Sequence, residues 1–282
     1  MQPPRPLSLV VRPSIGSRSL TMPYVFTHED KAERERLAAI EAGLDPFTIE
    51  SLERIGVGEG WRCLEVGAGG GSMAEWLCRR VGPNGKIVAT DLQTKFLDAI
   101  NAPNLEVRKH DITREEFEQG AFDLVVARKV LEHLAEPRQA LRRLYAAVRP
   151  RGWLLVEDTD LASFRRVSAP QPERFERAYA KFLEAMRSAG FQPTLGVQLG
   201  DELRALGIPE VQVHGRTVEW TAAADQPTGK VYRMTFQRLR ERVTKAGLLT
   251  NEEVDQFFAD IQSPDFHAFT GVHFAAWGRK MA

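Results

Sequence analysis

The stretch Cys63–Leu77, CLEVGAGGGSMAEWL, sets an acid, Glu65, just ahead of a run of small residues. Five of the seven positions from Gly67 to Met73 are Gly or Ala. Such a run is poor as helix and poor as strand, because each glycine loses backbone freedom on folding. It reads instead as a turn joining a short apolar strand, RCLEVG, to a helix. On that helix Met73, Leu77 and Val81 share one face by their four-residue spacing. The turn presents backbone N–H groups at a helix N-terminus, where a carboxylate or phosphate is welcome. Absent side chains at Gly67, Gly69 and Gly71 let a ligand lie flat against it.

Strands and helices alternate downstream of this turn. GPNGKIVATD is a turn and a strand ending at Asp91, KFLDAI is helical, and NLEVRKHD is a third strand ending at Asp111. Thr113 with Glu116 forms a capping box over a short helix. FDLVVAR is a fourth strand, with Asp123 read as structural, PRQALRRLYAAVRP a helix, and GWLLVED a fifth strand. Five strands, apolar on both faces and separated by helical segments, predict a parallel sheet with helices on either side. Right-handed crossovers put every strand's carboxyl end on one edge, where ligands bind. Glu65, Asp91, Asp111 and the pair Glu157 and Asp158 all fall at such ends. Asp91 also lies 20 residues past Gly71, where an acid can hold both hydroxyls of a ribose. An adenosine-bearing cofactor is implied. A nicotinamide site built on GxGxxG needs glycine at position 72, where Ser72 stands.

Upstream, HEDKAERERLAAIEAGL reads as one charged helix. DPFTIESLERIG reads as a second, with Asp45 as N-cap, Pro46 at its first position and Gly56 as its stop. Residues 1–22 are rich in Pro, Ser and Arg and carry no acid, which suits an organellar transit peptide. A flexible tail, or an over-extended start ahead of Met22, is the preferred reading, and disorder is expected there.

The 282 residues carry 38 basic and 38 acidic side chains, so the formal net charge is zero. Nucleic-acid binders usually carry a basic excess, so no nucleic-acid partner is expected. Two cysteines make no disulfide framework, and the six histidines show no zinc spacing, which argues for a reducing, cytoplasmic setting and no metal. No apolar run approaches the ~20 residues of a membrane span.

The spacing from Glu65 to Gly71 is ExGxGxG. Together with ATDLQ, RKHDI, FDLVVARKVLEHL and LRRLYAAVRPRGWLLVED, it makes the region from about Trp61 to Asp160 resemble the class I S-adenosylmethionine-dependent methyltransferases, in their small-molecule branch. The resemblance covers roughly a third of the chain, with five motifs in order. It implies a Rossmann-like, doubly wound seven-stranded α/β sheet, five parallel strands followed by an antiparallel final pair. It implies S-adenosyl-L-methionine as cofactor, with S-adenosyl-L-homocysteine as product. By the resemblance, Glu65 and Gly67, Ala68, Gly69 and Gly71 form the floor beneath the methionine moiety. Asp91 binds the ribose with Leu92 beside the adenine, Asp111 accepts from the adenine amino group, and Ile112 packs on the ring. Ala127 and Arg128 flank the methionine amine and sulfonium. One departure is Pro150-Arg151-Gly152, where the family often has Pro-Gly-Gly before strand five; positive φ at Arg151 would be mildly strained.

Four regions follow: a tail over 1–22, N-terminal helices over the cofactor at 23–60, the cofactor core at 61–160, and the last two strands with helical insertions at 161–282. In the stretch PYVFTHEDKAERERL, Tyr24 and Arg36 are candidate partners for the methionine carboxylate, against a solvated charged face as the plainer reading. Asp111 as a mere start of the next helix, and Glu65 as a turn-stabilising acid, are the plainer readings of those residues. His133, in KVLEHL, is either a general base for an acceptor hydroxyl or a helix-end histidine bonded to backbone. The stripes Phe175, Tyr179, Phe182, Met186 and Tyr232, Phe236, Leu239, Val243 lie on inserted helices that form core and lid. VQVHGRTVEW and HAFTGVHFAAWGRK read as the two last strands. The expected acceptor is a small apolar or aromatic molecule methylated at oxygen. Carbon or nitrogen methylation of a quinone- or lipid-like precursor, or a non-catalytic cofactor-binding module, are the rival readings. A homodimer is admitted.

Overall fold

The computed structural model describes residues 30–222 and 226–282; the tail over 1–22 and Tyr24 lie outside them. Helix α1 (Asp30–Ile55) is followed by strand β1 (Arg62–Val66), α2 (Ser72–Val81), β2 (Lys86–Asp91), β3 (Leu105–Lys109), β4 (Phe122–Arg128), α3 (Pro137–Ala147) and β5 (Val148–Asp160). Then come β6 (Arg165–Ser168), α4 (Pro172–Ser188), α5 (Leu195–Ala205), β7 (Gln212–Arg216), β8 (Glu219–Thr221), α6 (Pro227–Lys245), α7 (Asn251–Gln262), β9 (His267–Phe269) and β10 (Val272–Arg279).

Seven strands form one sheet in the order β3-β2-β1-β4-β5-β10-β7. Strands β1 to β5 pair in parallel, and β10 runs antiparallel to both β5 and β7. Successive residues such as Leu124 and Val125 are both fully buried, because helices cover both faces. One face packs Leu64, Val125 and Val156 with Leu141 and Leu144 of α3 and Leu199 of α5. The other packs Cys63, Leu124 and Leu155 with Phe47 and Leu52 of α1 and Leu77 of α2. A separate aromatic core, with Phe175, Phe182, Trp220, Phe236 and Phe257, joins α4, α6 and α7 beside the sheet. The inserted stripes are therefore chiefly core.

Four local expectations are corrected. The two N-terminal helices are one, α1, with Pro46 inside it, so Asp45 is not an N-cap. Proline removes the hydrogen bond to the carbonyl of residue i−4, but Phe47, Thr48, Ser51 and Leu52 bury against the sheet and hold the helix through the break. The Thr113–Glu116 capping box does not form, since 113–116 is not helical. There the Asp111 carboxylate accepts from the Thr113 N–H and hydroxyl (2.9 and 2.6 Å), and Glu116 pairs with Arg143. KFLDAI shortens to a single 3-10 turn, Leu97–Ala99. Each of the last two strands divides in two: β7 and β10 complete the main sheet, while β8 and β9 pair with β6 in a three-stranded sheet. Arg151 does take positive φ, at 63°.

Candidate active site

Gly67, Gly69 and Gly71 all adopt positive φ (70°, 57° and 93°), the conformation that side chains resist. The turn hangs from β2: the N–H groups of Gly67 and Ala68 donate to the Thr90 carbonyl (2.8 and 3.0 Å). The Asp91 carboxylate accepts from the Gly69 N–H at 2.9 Å and the Gln93 N–H at 3.0 Å. A side chain at Gly67 would put its Cβ 2.3 Å from Val130 Cγ2, and one at Gly70 would sit 1.9 Å from Glu41 Oε1. The turn is thus a bare backbone floor pressed between neighbours.

Above that floor lies a cleft of about 1040 Å³, continuous with solvent. Gly67, Ala68, Gly69, Asp91, Leu92, Asp111, Ile112, Arg128, Arg36 and His133 line it together, although they come from separate strand ends and from α1. Three sequence candidates stand off the lining. Ala127 is buried within β4. Gly71 faces inward, its missing Cβ 2.4 Å from Ile100 Cδ1, so its absence of side chain serves packing. Glu65 is 4% exposed, with Oε2 making no hydrogen bond among the described residues. Burial pushes its pKa up to about 8, against the pull of the Arg128 guanidinium. Arg128 itself donates to Asp45 Oδ1 (2.7 Å) and Thr48 Oγ1 (3.1 Å), clamping α1 onto the sheet.

A second cavity, also open to solvent and about 920 Å³ with that open space included, adjoins the first. Arg36, Ile40, Lys129 and His133 line both. Its walls are apolar, among them Leu44, Phe47, Met186, Val231 and Phe236. Its polar side is a hydrogen-bonded chain of which the sequence singled out only His133 and, as a strand-end acid, Glu157. Lys129 pairs with Glu132 and donates to Thr159 Oγ1 at 2.9 Å. Thr159 Oγ1 lies 3.2 Å from His273 Nδ1, and His273 Nε2 lies 3.3 Å from Glu157 Oε2. Thr48 donates to the same Glu157 oxygen at 2.8 Å. Lys129 is, with Arg151, one of two described non-glycine residues at positive φ (58°), and strained backbone of this kind gathers at functional sites. His133 lies 3.6 Å from Glu132 and edge-on to Phe191, and burial drives its pKa down to about 4. Its ring is neutral at neutral pH and a weak base.

The family model described as "Methyltransferase domain" matches residues 31–253, most of the chain. The chain is a class I S-adenosylmethionine-dependent methyltransferase. This methyltransferase is 29% identical over 198 residues to methyltransferase str2 of Strobilurus tenacellus, covering 70% of each chain. It is 29% identical over 120 residues to a ubiquinone biosynthesis O-methyltransferase of Chromobacterium violaceum, covering 39% of this chain and 50% of that one. Among solved structures, one of a methyltransferase from Bacillus halodurans superposes with a TM-score of 0.54 at 20% identity, over 83% of this chain and 98% of that one. The Rossmann-like, seven-stranded fold is shared. Several curated relatives are matched over only half to three fifths of their own length.

The cleft fits the cofactor of this family. Its floor is a glycine cradle that a Cβ would fill, an acid stands at its β2 end, and Leu92 and Ile112 provide apolar contact beyond. No helix among the described residues is long and apolar enough to cross a membrane.

Proposed function

We propose that the methyltransferase acts at the oxygen of a small acceptor with an apolar, aromatic body and one ionisable hydroxyl. The observation that carries this reading is the second cavity: apolar walls, a buried polar side, and shared lining with the cofactor cleft at Arg36, Ile40, Lys129 and His133. An apolar pocket with a few convergent polar groups is the usual form of a small-molecule site. The cofactor supplies a methyl group already activated on a sulfonium. In this reading Gly67 to Gly70 carry its methionine part, Arg36 meets the carboxylate, Asp91 takes the ribose hydroxyls, and Leu92, Asp111 and Ile112 surround the adenine. What remains for the chain is to hold the acceptor oxygen in line and to exclude water. Residues of α1, α4 and α6 roof the second cavity and supply that exclusion.

The test is incubation with isotopically labelled S-adenosylmethionine and a panel of phenols, quinols, enols and amines, read by mass spectrometry. Methyl ethers are the expected products. Labelled carbon or nitrogen would overturn the assignment to oxygen. Cofactor binding without any product across the panel would favour a binding module.

A further inference from the structure

The second cavity holds two histidines, and their surroundings differ. His133 sits beside a carboxylate already paired with Lys129. His273 is built into a chain with a direction. A carboxylate only accepts, so the Glu157 oxygen at 3.3 Å assigns the His273 proton to Nε2. The lone pair of the neutral ring is then on Nδ1. Thr159 Oγ1, 3.2 Å away, takes a hydrogen bond from the Lys129 ammonium and so turns its own proton toward Nδ1. Strand pairing fixes this arrangement, because His273 stands opposite Thr159 in the β5–β10 register. Both residues line the cavity. Glu157 is fully buried, and the oxygen that faces His273 also accepts a hydrogen bond from Thr48. A base oriented by a carboxylate, with a hydroxyl on its free nitrogen, is the geometry of a proton acceptor.

We propose that the proton of the acceptor hydroxyl leaves through Thr159 to His273 Nδ1, with Glu157 as the positioning residue for the imidazole. The inference rests on the oxygen reading given above. The acceptor O–H bond breaks as Thr159 Oγ gains that proton and passes its own to Nδ1. The oxygen's released electron pair forms the new bond to the methyl carbon, and sulfur keeps the pair of the broken S–C bond. The imidazolium, held by Glu157, later loses its proton to water.

Two measurements test this. In the first, 4-nitrophenol is bound to the protein loaded with S-adenosylhomocysteine, and its ionised fraction is read from the phenolate absorption band. Wild type and His133→Asn ionise the bound phenol. His273→Asn and Thr159→Val lower its ionisation constant about tenfold or more, and Thr159→Ser restores it. In the second, turnover is compared across phenols of increasing acidity. His273→Asn loses about 100-fold or more with weakly acidic phenols, and the loss shrinks as the acceptor grows more acidic, which a merely structural defect would not produce. Glu157→Gln loses less, and adding it to His273→Asn costs little more. S-adenosylhomocysteine affinity, by calorimetry, stays unchanged in the His273, Thr159 and Glu157 variants, none of which lines the cofactor cleft, and certifies their fold. Full ionisation in His273→Asn, or loss of ionisation in His133→Asn, overturns the relay. If wild type fails to bind any phenol, the oxygen reading itself fails and takes the relay with it.

Discussion

A side chain at Gly67 meets two separate penalties, one from its φ of +70° and one from Val130 Cγ2, 2.3 Å from the added Cβ. Gly67→Ala is expected to cost about 1–3 kcal/mol by urea unfolding. Val130→Ala in the same chain removes the clash but not the backbone strain, so recovery should be partial; full recovery would show that the turn can relax its φ. Glu65 makes stability depend on pH. Its folded pKa, about 8, lies above its ordinary value of 4.5, so the folded chain holds the proton more tightly than the unfolded one. Its contribution to stability is fully present below about pH 4.5 and is lost as pH rises through 8. Glu65→Gln, which never ionises, should therefore gain on wild type across that window, by on the order of a few kcal/mol. Parallel unfolding curves at every pH would refute the buried, proton-holding carboxyl. The glycines and the strand-end acids were legible because local backbone geometry demands them. Lys129, Thr159 and His273 were not, since they are 30 and 114 residues apart along the chain and meet only through strand register.

Among the elements, α1 departs furthest from local propensity. Asp45-Pro46 has the signature of a helix start, yet one helix runs from Asp30 to Ile55. Tertiary packing overrides the local signal at Pro46, and no sequence window contains the sheet that supplies it. The final strands fail to be legible for a similar reason: VQVHGRTVEW and HAFTGVHFAAWGRK are each continuous in propensity, but each serves two sheets. What holds α1 to α6 is chemically specific. Glu33, fully buried, takes two hydrogen bonds from Arg36 (2.7 and 3.1 Å) and pairs with Arg238 of α6. Although burial opposes ionisation, the hydrogen bonds and charges of Arg36 and Arg238 together hold the Glu33 pKa below its ordinary value. That stabilisation is present above the ordinary carboxylate range and is lost as pH falls through the lowered pKa. Glu33→Gln removes the buried charge on which Arg36 and Arg238 converge, at an expected cost of about 3–5 kcal/mol. Hydrogen exchange should accelerate in α1 and α6 together. Faster exchange in α1 alone would mean that the two helices are not coupled through this carboxylate.

At the scale of the molecule, the cofactor cleft lies between the sheet edge and α1, while the second cavity lies between α1 and the aromatic core of α4, α6 and α7. Helix α1 is therefore the wall common to both, and it is fastened to the sheet by Arg128 to Asp45 and to α6 by Glu33 to Arg238. A ligand filling the cleft touches the glycine turn, the β2 end and α1 at once, so its binding energy adds to global stability and not to one loop alone. S-adenosylhomocysteine at a hundredfold excess over its dissociation constant should stabilise the fold by about 2.7 kcal/mol, read as a rise in melting temperature, with a nicotinamide dinucleotide giving no rise. Hydrogen exchange in the same samples should slow at the glycine turn and along α1. The distant half of α7, which lines neither cavity, should change far less. Protection confined to the turn, with α1 unaffected, would mean that the cofactor seats without the helical wall, and the coupling of cleft to second cavity through α1 would then fail.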